Sequence, residues 1–551
     1  MIIEQFIKQL RNSGVKLKLE QQQLICELPQ NGVTATLRAE IVARKEELKQ
    51  FLQRHAAQSS IVKARAKDST DTTGLPLSCN QQVLWTDQQV HGCRSSFHMP
   101  FAFRLRGTLC RAALQYAVDQ LVERHEVLRT VYRADETGAA NQFIQHSQPV
   151  HINEVVLRQQ EDADNRLAEL LQQESAKPFD LNNDLMLRVT LVVLAEQEQV
   201  LLLTLHHIAS DGWSMAVMLQ EFTALYNGFI AADTSPLPAL QLQYADYALW
   251  QHEWLASEAG ERALDYWKAQ LSNLPVVHNL KLDYRRPDTQ SFKGATLKSL
   301  LKPEVLNALR ELCRQEGATL FMGLHAMFAI LLARLSGERD IVMGASAANR
   351  GQPELSGLIG FFVNMLVLRS DISSQATLRD LVQQSKQTLQ DAYAHQQVPL
   401  VKLFEALKPA RSLRHNPLFQ IVLVLQNNEQ SELEFSDLAC EPMSLRHEGS
   451  KYDLTLGALE TAEGLSLSWE YNSDVFNADT ISDMAAYFNN LTATLLATPD
   501  SAIEDVPCLD QVMRSKLSHW QGEESEVTQD VWRLFEQQAS EHGGRIAVRE
   551  G

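Results

Sequence analysis

The stretch from Val200 to Leu225 constrains the local fold most tightly. Val200-Leu201-Leu202-Leu203-Thr204-Leu205 is a short, bounded apolar run, which reads as a buried strand. Met215, Met218, Leu219, Phe222 and Leu225 then recur at helical spacing. His206, His207, Asp211 and Gly212 lie in the tight turn between them, followed by Trp213 and Ser214. Such a turn holds side chains rigidly, and the free N–H groups of the helix it opens face developing negative charge. Gly212 removes a side chain where a substrate would approach the backbone.

The residues alone leave three readings of the paired histidines open. A metal site needs three or four converging ligands, and no third candidate lies nearby in sequence, so no metal is expected. Two satisfied core histidines is the ordinary outcome, but it leaves the grouping of His-His, Asp and Gly in one turn unexplained. The catalytic reading presents one imidazole to substrate, turns the other inward and uses Asp211 to fix the loop.

At 551 residues the chain exceeds one ordinary domain, and about two to four are expected. A formal net charge of -18 argues against a nucleic-acid partner, which would want a basic face. No apolar run approaches the roughly 20 residues of a membrane span. The opening Met1-Ile2-Ile3-Glu4-Gln5-Phe6 lacks the basic start and unbroken apolar core of a signal peptide. Cys26, Cys79, Cys93, Cys110, Cys313, Cys440 and Cys508 are scattered and never form a CxxC pair. They read as reduced thiols, and the expected location is cytoplasmic.

Taken in order, residues 1–55 pattern as a miniature α-β-β-α-α unit. Ile3, Phe6, Ile7 and Leu10 mark a helix, Val15, Leu17 and Leu19 a half-buried strand, and Leu24 to Leu28 its hairpin partner. The unit carries nine Lys/Arg against six Asp/Glu, so it is basic on an acidic chain. An ordinary solvated surface explains that contrast as well as an acidic partner does. Residues 56–73 are small and polar, a linker. Residues 74–509 alternate helical stretches with strand-like runs, and a mixed α+β architecture in two lobes, 74–250 and 251–509, suits that length better than one core. A second linker, 510–526, precedes an amphipathic run, Val531 to Ala539, inside a final segment 527–551.

The order Gly14-Val15-Lys16-Leu17, a short hairpin, then Leu37-Arg38-Ala39-Glu40 and Lys45-Glu46-Glu47-Leu48 resembles the TubC-type N-terminal docking domain of peptide synthetase subunits. The resemblance implies that the hairpin receives the C-terminal tail of the preceding subunit, with Lys16 and Lys18 as salt-bridge donors. The His-His-x-x-x-Asp-Gly turn is shared by the chloramphenicol acetyltransferase superfamily and the condensation domains of nonribosomal peptide synthetases. Companion motifs follow the condensation-domain order: Leu77 to Trp85, Arg124 to Thr130, Tyr244 to Trp250, Ala348-Asn349-Arg350 with Ile359 to Asn364, His395 to Leu400, and Arg414 to Gln420. Cys79, Asn80, Ala209 and Met365 depart from the usual residues without touching the expected chemistry. The intact His-His-x-x-x-Asp argues against a heterocyclization domain, and Asp-Gly-Trp-Ser looks most like the subtype joining an L-configured donor to an L-configured acceptor. The last residues resemble the start of an adenylation domain, which implies a truncated chain with no adenylation activity of its own.

The resemblance implies a two-lobed, V-shaped chloramphenicol acetyltransferase-like fold. It also implies amide formation between two thioesters carried on phosphopantetheine arms by upstream and downstream carrier proteins, beside an adenylation domain in cis. No bound cofactor is expected. His207 is expected to face the attacking amine, and the Gly212 N–H to contact the oxyanion. Asp211 is expected to pair with Arg350 or to act only as a helix cap, and His206 to pack. Arg124, Asn364 and Trp213 lie in neighbouring motifs, where scaffolding is the expected role of the first two. An inactive platform recruiting carrier proteins, and an acyltransferase serving a soluble acceptor, are alternatives with the same fold.

Overall fold

The computed structural model describes residues 74–507 apart from 93–94, 158–162, 234–236, 411, 427–432, 444 and 446–448. It also describes residues 10, 15–20, 23–27, 515 and 531–544, and seven positions between 38 and 49. The expected linkers, 56–73 and 510–526, lie outside the described residues except for Ser515.

Near the N-terminus, Lys16–Glu20 and Gln23–Glu27 form an antiparallel hairpin in which Lys16 opposes Glu27 and Lys18 opposes Ile25. Leu10, Val15, Ile41 and Leu48 are buried beside it, which gives this small unit an apolar interior. The first helix expected there falls almost wholly outside the described residues.

Two large sheets and a small one make up the large region. The first runs in the order Leu438–Met443, His98–Gly107, Glu198–His206, Leu187–Ala195 and Ile152–Val156, with only the last pair parallel. Glu198–His206 is covered on both faces, which explains its unbroken apolar run. Val200 and Leu202 pack with Leu167 and Leu171 of the Ala163–Ala176 helix. Leu201, Leu203 and Leu205 face the main core with Met215, Met218 and Phe222 of the Gly212–Ile230 helix. That helix lies along the Arg111–Arg124 helix, so the turn at 206–212 is clamped between a buried strand and a buried helix.

The second sheet is ordered Gly294–Leu301, Gly464–Asn472, Leu454–Thr461, Ile421–Gln426, Asp340–Ala347 and Asn364–Asp371, mixed in direction. The Leu320–Ser336 helix crosses its core, with Met322 to Leu332 all buried, and ends at Gly337, whose φ of 72° suits a residue without Cβ. A third, three-stranded sheet joins Leu75–Pro76, Ala140–Ile144 and Thr130–Ala134. Among the described residues no single helix is long and apolar enough to cross a membrane.

The chain does not keep the two lobes apart at residue 250. Leu438–Met443, which a contiguous division assigns to the second lobe, pairs antiparallel with His98–Gly107 and forms the edge of the first sheet. The physical reason is an open edge that needs a partner, and Pro442 fits there because an edge strand tolerates a missing N–H.

Candidate active site

Asp211 is the N-cap of the Gly212–Ile230 helix, and its carboxylate accepts five hydrogen bonds. Oδ1 takes the Ser214 N–H at 2.8 Å, the Ser214 hydroxyl at 2.7 Å and Arg350 Nη2 at 3.1 Å. Oδ2 takes the backbone N–H groups of Phe362 and Val363 at 3.0 and 3.1 Å. Asp211 is therefore cap and ion-pair partner at once. Arg350 reciprocates by donating to the carbonyls of Leu355 and Leu358 and to the Ser214 hydroxyl, with its guanidinium over the Phe362 ring at 4.0 Å. Both side chains are only 1% exposed. Gly360 is held against Ser214 by its N–H at 3.0 Å, and a Cβ there would meet the Tyr244 ring at 2.0 Å, so only glycine fits.

The sequence motifs meet around this pair. Gln81 donates from Nε2 to the Ile208 carbonyl at 3.0 Å, which ties the first motif to the histidine turn. Tyr244 donates to the Phe361 carbonyl at 2.7 Å and lies 2.8 Å from the Ser78 hydroxyl. Asn364 donates to the carbonyls of Gln396 and Val398 and accepts from the Leu400 N–H, so it braces the sixth motif. Arg124 donates to both oxygens of Glu221, which also lies 2.6 Å from His125 Nε2. Trp213 donates its indole N–H to the Ser356 carbonyl at 2.9 Å. The motif from Arg414 to Gln420 is elsewhere, with Arg414 paired to Asp288 and Gln420 receiving the His278 N–H.

The two histidines part company. His206 is buried, its Nδ1 accepts the Ile208 N–H at 3.1 Å, and its ring stands edge-on to Phe179 with centroids 5.6 Å apart. Burial, with the neighbouring His98, His207 and Arg188, pushes its pKa down to about 3. His207 is half-buried and meets the Phe361 ring edge-on at 4.7 Å. Its Nδ1 has no hydrogen-bond partner among the described residues. Burial first, and then the Lys451 ammonium, pushes its pKa down to about 4, partly offset by Asp211. The next turn exposes Gly212 at the first position of the helix. The result is a neutral imidazole, close in sequence to a helix N-terminus. That combination suits holding an amine and opposing an oxyanion.

Ser214, Glu221, Phe361 and Lys451 are parts of this site to which the sequence alone assigns no role. Ser214 stands inside the central motif, three residues after the Asp211 N-cap, and that spacing is the available signal. Lys451 is a single charge in a loop, and nothing local in the sequence marks it.

Residues 72–518 match the family model of the condensation domain, and residues 3–54 match that of the TubC N-terminal docking domain. The chain belongs to the condensation-domain family. It is 35% identical over 496 residues to malpinin synthetase of Mortierella alpina and 37% identical over 480 residues to chondramide synthase cmdD of Chondromyces crocatus. These alignments cover 90% and 86% of the chain but only 6% and 12% of those relatives. Among solved structures, the X-domain from teicoplanin biosynthesis superposes with a TM-score of 0.73 at 26% identity, covering 82% of this chain and 100% of that one. A four-domain nonribosomal peptide synthetase bound to AMP and glycine gives 0.73 at 23%, covering 86% of this chain and 37% of that one. The latter likeness speaks to the fold.

Arg350→Ala leaves the Asp211 carboxylate buried without its cation, and is expected to destabilise the protein by about 3–5 kcal/mol in urea unfolding. His206 has a folded pKa of about 3, below its unfolded value of roughly 6.5, so the unfolded chain binds the extra proton between them. Its contribution to stability is full above about pH 6.5 and is lost as pH falls toward 3. A His206→Asn variant is expected to show a shallower acid-side loss in a pH series of urea midpoints.

Proposed function

We propose that residues 74–507 form an amide bond between a donor acyl or peptidyl thioester and an acceptor aminoacyl thioester. Each substrate rides on the phosphopantetheine arm of a carrier protein. The reading rests on one observation above the rest: a neutral His207 on a turn pinned by Asp211 and Arg350.

The α-amine nitrogen of the acceptor attacks the donor carbonyl carbon, and the carbonyl oxygen takes up negative charge facing the Gly212 N–H. An α-amine has an ordinary pKa near 8, so a fair fraction is neutral at pH 7 before the enzyme acts. His207 orients that amine and accepts its surplus proton as the new C–N bond forms. The tetrahedral intermediate then collapses, the C–S bond breaks, and the proton leaves with the thiol. Atoms and charge balance without ATP or metal. Asp211, Arg350 and His206 hold the turn, Arg124 pairs with Glu221 on the following helix, Asn364 holds residues 396–400, and Trp213 ties the helix start to residue 356. The subtype would join an L-configured donor to an L-configured acceptor.

The hairpin of residues 16–27 would receive an acidic C-terminal tail from the preceding synthetase subunit, with Lys16 and Lys18 pairing to it. The Val531–Glu541 helix leaves Trp532, Leu534 and Phe535 exposed, and fits the opening of an adenylation domain in cis. A cytoplasmic setting suits the free thiols of Cys26, Cys79, Cys110, Cys313 and Cys440. A second reading, an inactive platform that recruits other proteins, has one specific support: a structural neighbour, the teicoplanin X-domain, is known in complex with OxyB.

Intact-mass detection of the condensed product, with one donor-loaded and one acceptor-loaded carrier, separates these readings. His207→Ala is expected to lose about two to four powers of ten in rate. Equal product from wild type and variant would reduce the site to a scaffold. Lys16→Glu with Lys18→Glu is expected to weaken capture of the acidic tail, and wild-type binding should fall with added salt. A calorimetric titration that shows neither effect would refute the charge-based docking.

A further inference from the structure

The chain leaves the Asp340–Ala347 strand and bends at Asn349, whose φ of 53° lies in the left-handed region. Few residues other than glycine adopt that conformation, and asparagine is among those that do so most readily. Asn349 is buried, and its side-chain amide donates to the Tyr247 hydroxyl at 3.2 Å. That hydroxyl receives a second N–H from Gln251 at 3.1 Å, and Gln251 in turn accepts the Cys79 N–H at 2.8 Å. The bend is thereby fastened to the Tyr244–Leu255 helix and, through it, to the start of the Cys79–His91 helix.

The next residue is Arg350. In an extended chain, consecutive side chains point to opposite sides. Here the two lead to one ring: Arg350 lies over Phe362 at 4.0 Å, and Tyr247, which holds Asn349, has its ring 4.7 Å from the same phenyl. So placed, the guanidinium reaches Asp211 at 3.1 Å and the Ser214 hydroxyl at 2.7 Å, with its other arm on the carbonyls of Leu355 and Leu358. The contacts run on to the histidine. Asp211 accepts the N–H groups of Phe362 and Val363, and the adjacent Phe361 ring stands 4.7 Å from that of His207. We propose that Asn349 is a positioning residue of the condensation site: its left-handed bend, fastened to Tyr247, aims Arg350 at Asp211 and thereby sets Phe361 and His207 against each other. The inference rests on the amide-forming reading of the site.

Substitution separates the bend from its fastening. Glycine keeps access to positive φ and gives up the amide. Valine keeps a side chain but, being β-branched, resists positive φ. The role belongs to the bend, because the direction of Arg350 depends on the backbone one residue earlier. The amide holds that backbone in place.

The test is the single-turnover condensation rate against acceptor-carrier concentration, with the carrier pair of the intact-mass assay, on variants that thermal melting shows to be folded. Asn349→Val is expected to lower the saturating rate roughly 10- to 100-fold at an unchanged half-saturating concentration, and Asn349→Gly to recover most of that loss. Asn349→Ala takes the place of the valine variant if Val impairs folding. Action through Arg350 is read from a double-mutant cycle. In an Arg350→Lys background, which keeps the charge and loses the planar fork, the two losses should fall well short of their product. A wild-type rate for Asn349→Val would overturn the proposal. So would a glycine variant no better than valine, an effect confined to the half-saturating concentration, or losses that multiply in full. His207→Ala run in parallel keeps the two ideas apart. If that variant retains full rate, the amide-forming role of the histidine fails. If it is inactive while Asn349→Val keeps the wild-type rate, only the Asn349 proposal fails.

Discussion

The buried pair between Asp211 and Arg350 is the interaction on which the site depends. Two ions taken out of water are costly unless hydrogen bonds satisfy what the pair leaves over. Here they do. The carboxylate receives three backbone N–H groups and a hydroxyl besides the guanidinium, and the guanidinium donates to two carbonyls and that same hydroxyl. Because the donors come from the Gly212–Ile230 helix start on one side and from residues 350–363 on the other, one ion pair fixes both halves of the chain relative to the histidine turn. The arrangement secures geometry rather than raw stability, since an apolar replacement of the whole pair need not lower the folding free energy.

Around that pin the two imidazoles are driven to opposite tasks by their surroundings. His206 spends its Nδ1 on a backbone N–H and is walled by Phe179 and His98. His207, one residue later, turns out of the strand into a short 3-10 turn and keeps a nitrogen unspent. Adjacent residues at the end of a strand point to opposite sides, so a pair of histidines there naturally yields one structural and one presented ring. The same environment that strips water from His207 also keeps it uncharged, which is the state an acceptor of protons requires.

Much of this was legible in the sequence, and for identifiable reasons. The Arg111–Arg124 helix buries Leu114, Val118 and Leu121, and the Pro303–Gln315 helix buries Leu306, Leu309 and Cys313, an apolar spacing that marks both as helices in the sequence. The Val200–Leu205 run is a strand because both of its faces are covered, as its unbroken hydrophobicity implied. The Asp211–Arg350 contact followed from motif resemblance and not from spacing, since 139 residues separate the partners. Another strand carries a plain signal of its own: Leu465, Leu467, Trp469 and Tyr471 alternate as a half-buried strand should. The Leu438–Met443 strand carries almost none, because half of its residues are exposed and Pro442 interrupts it. Lys451 was invisible for a deeper reason. Its backbone is held by Gln290, and Asp453 two residues on by Arg286, partners more than 160 residues away in the chain.

The strand Leu438–Met443 also bears on how such a module could be recombined. It leaves the body built by residues 278–426, completes the edge of the sheet that carries His206, and then returns through residues 449–453 to that body. The two halves are thus laced together by the backbone itself and not only by side chains at their boundary. A chimera spliced once, between the halves, would pair a sheet from one parent with an edge strand from the other. Exchange of the half that carries His206 and His207 therefore calls for three junctions, one near residue 250 and one on each side of residues 433–443, so that this strand travels with its own sheet.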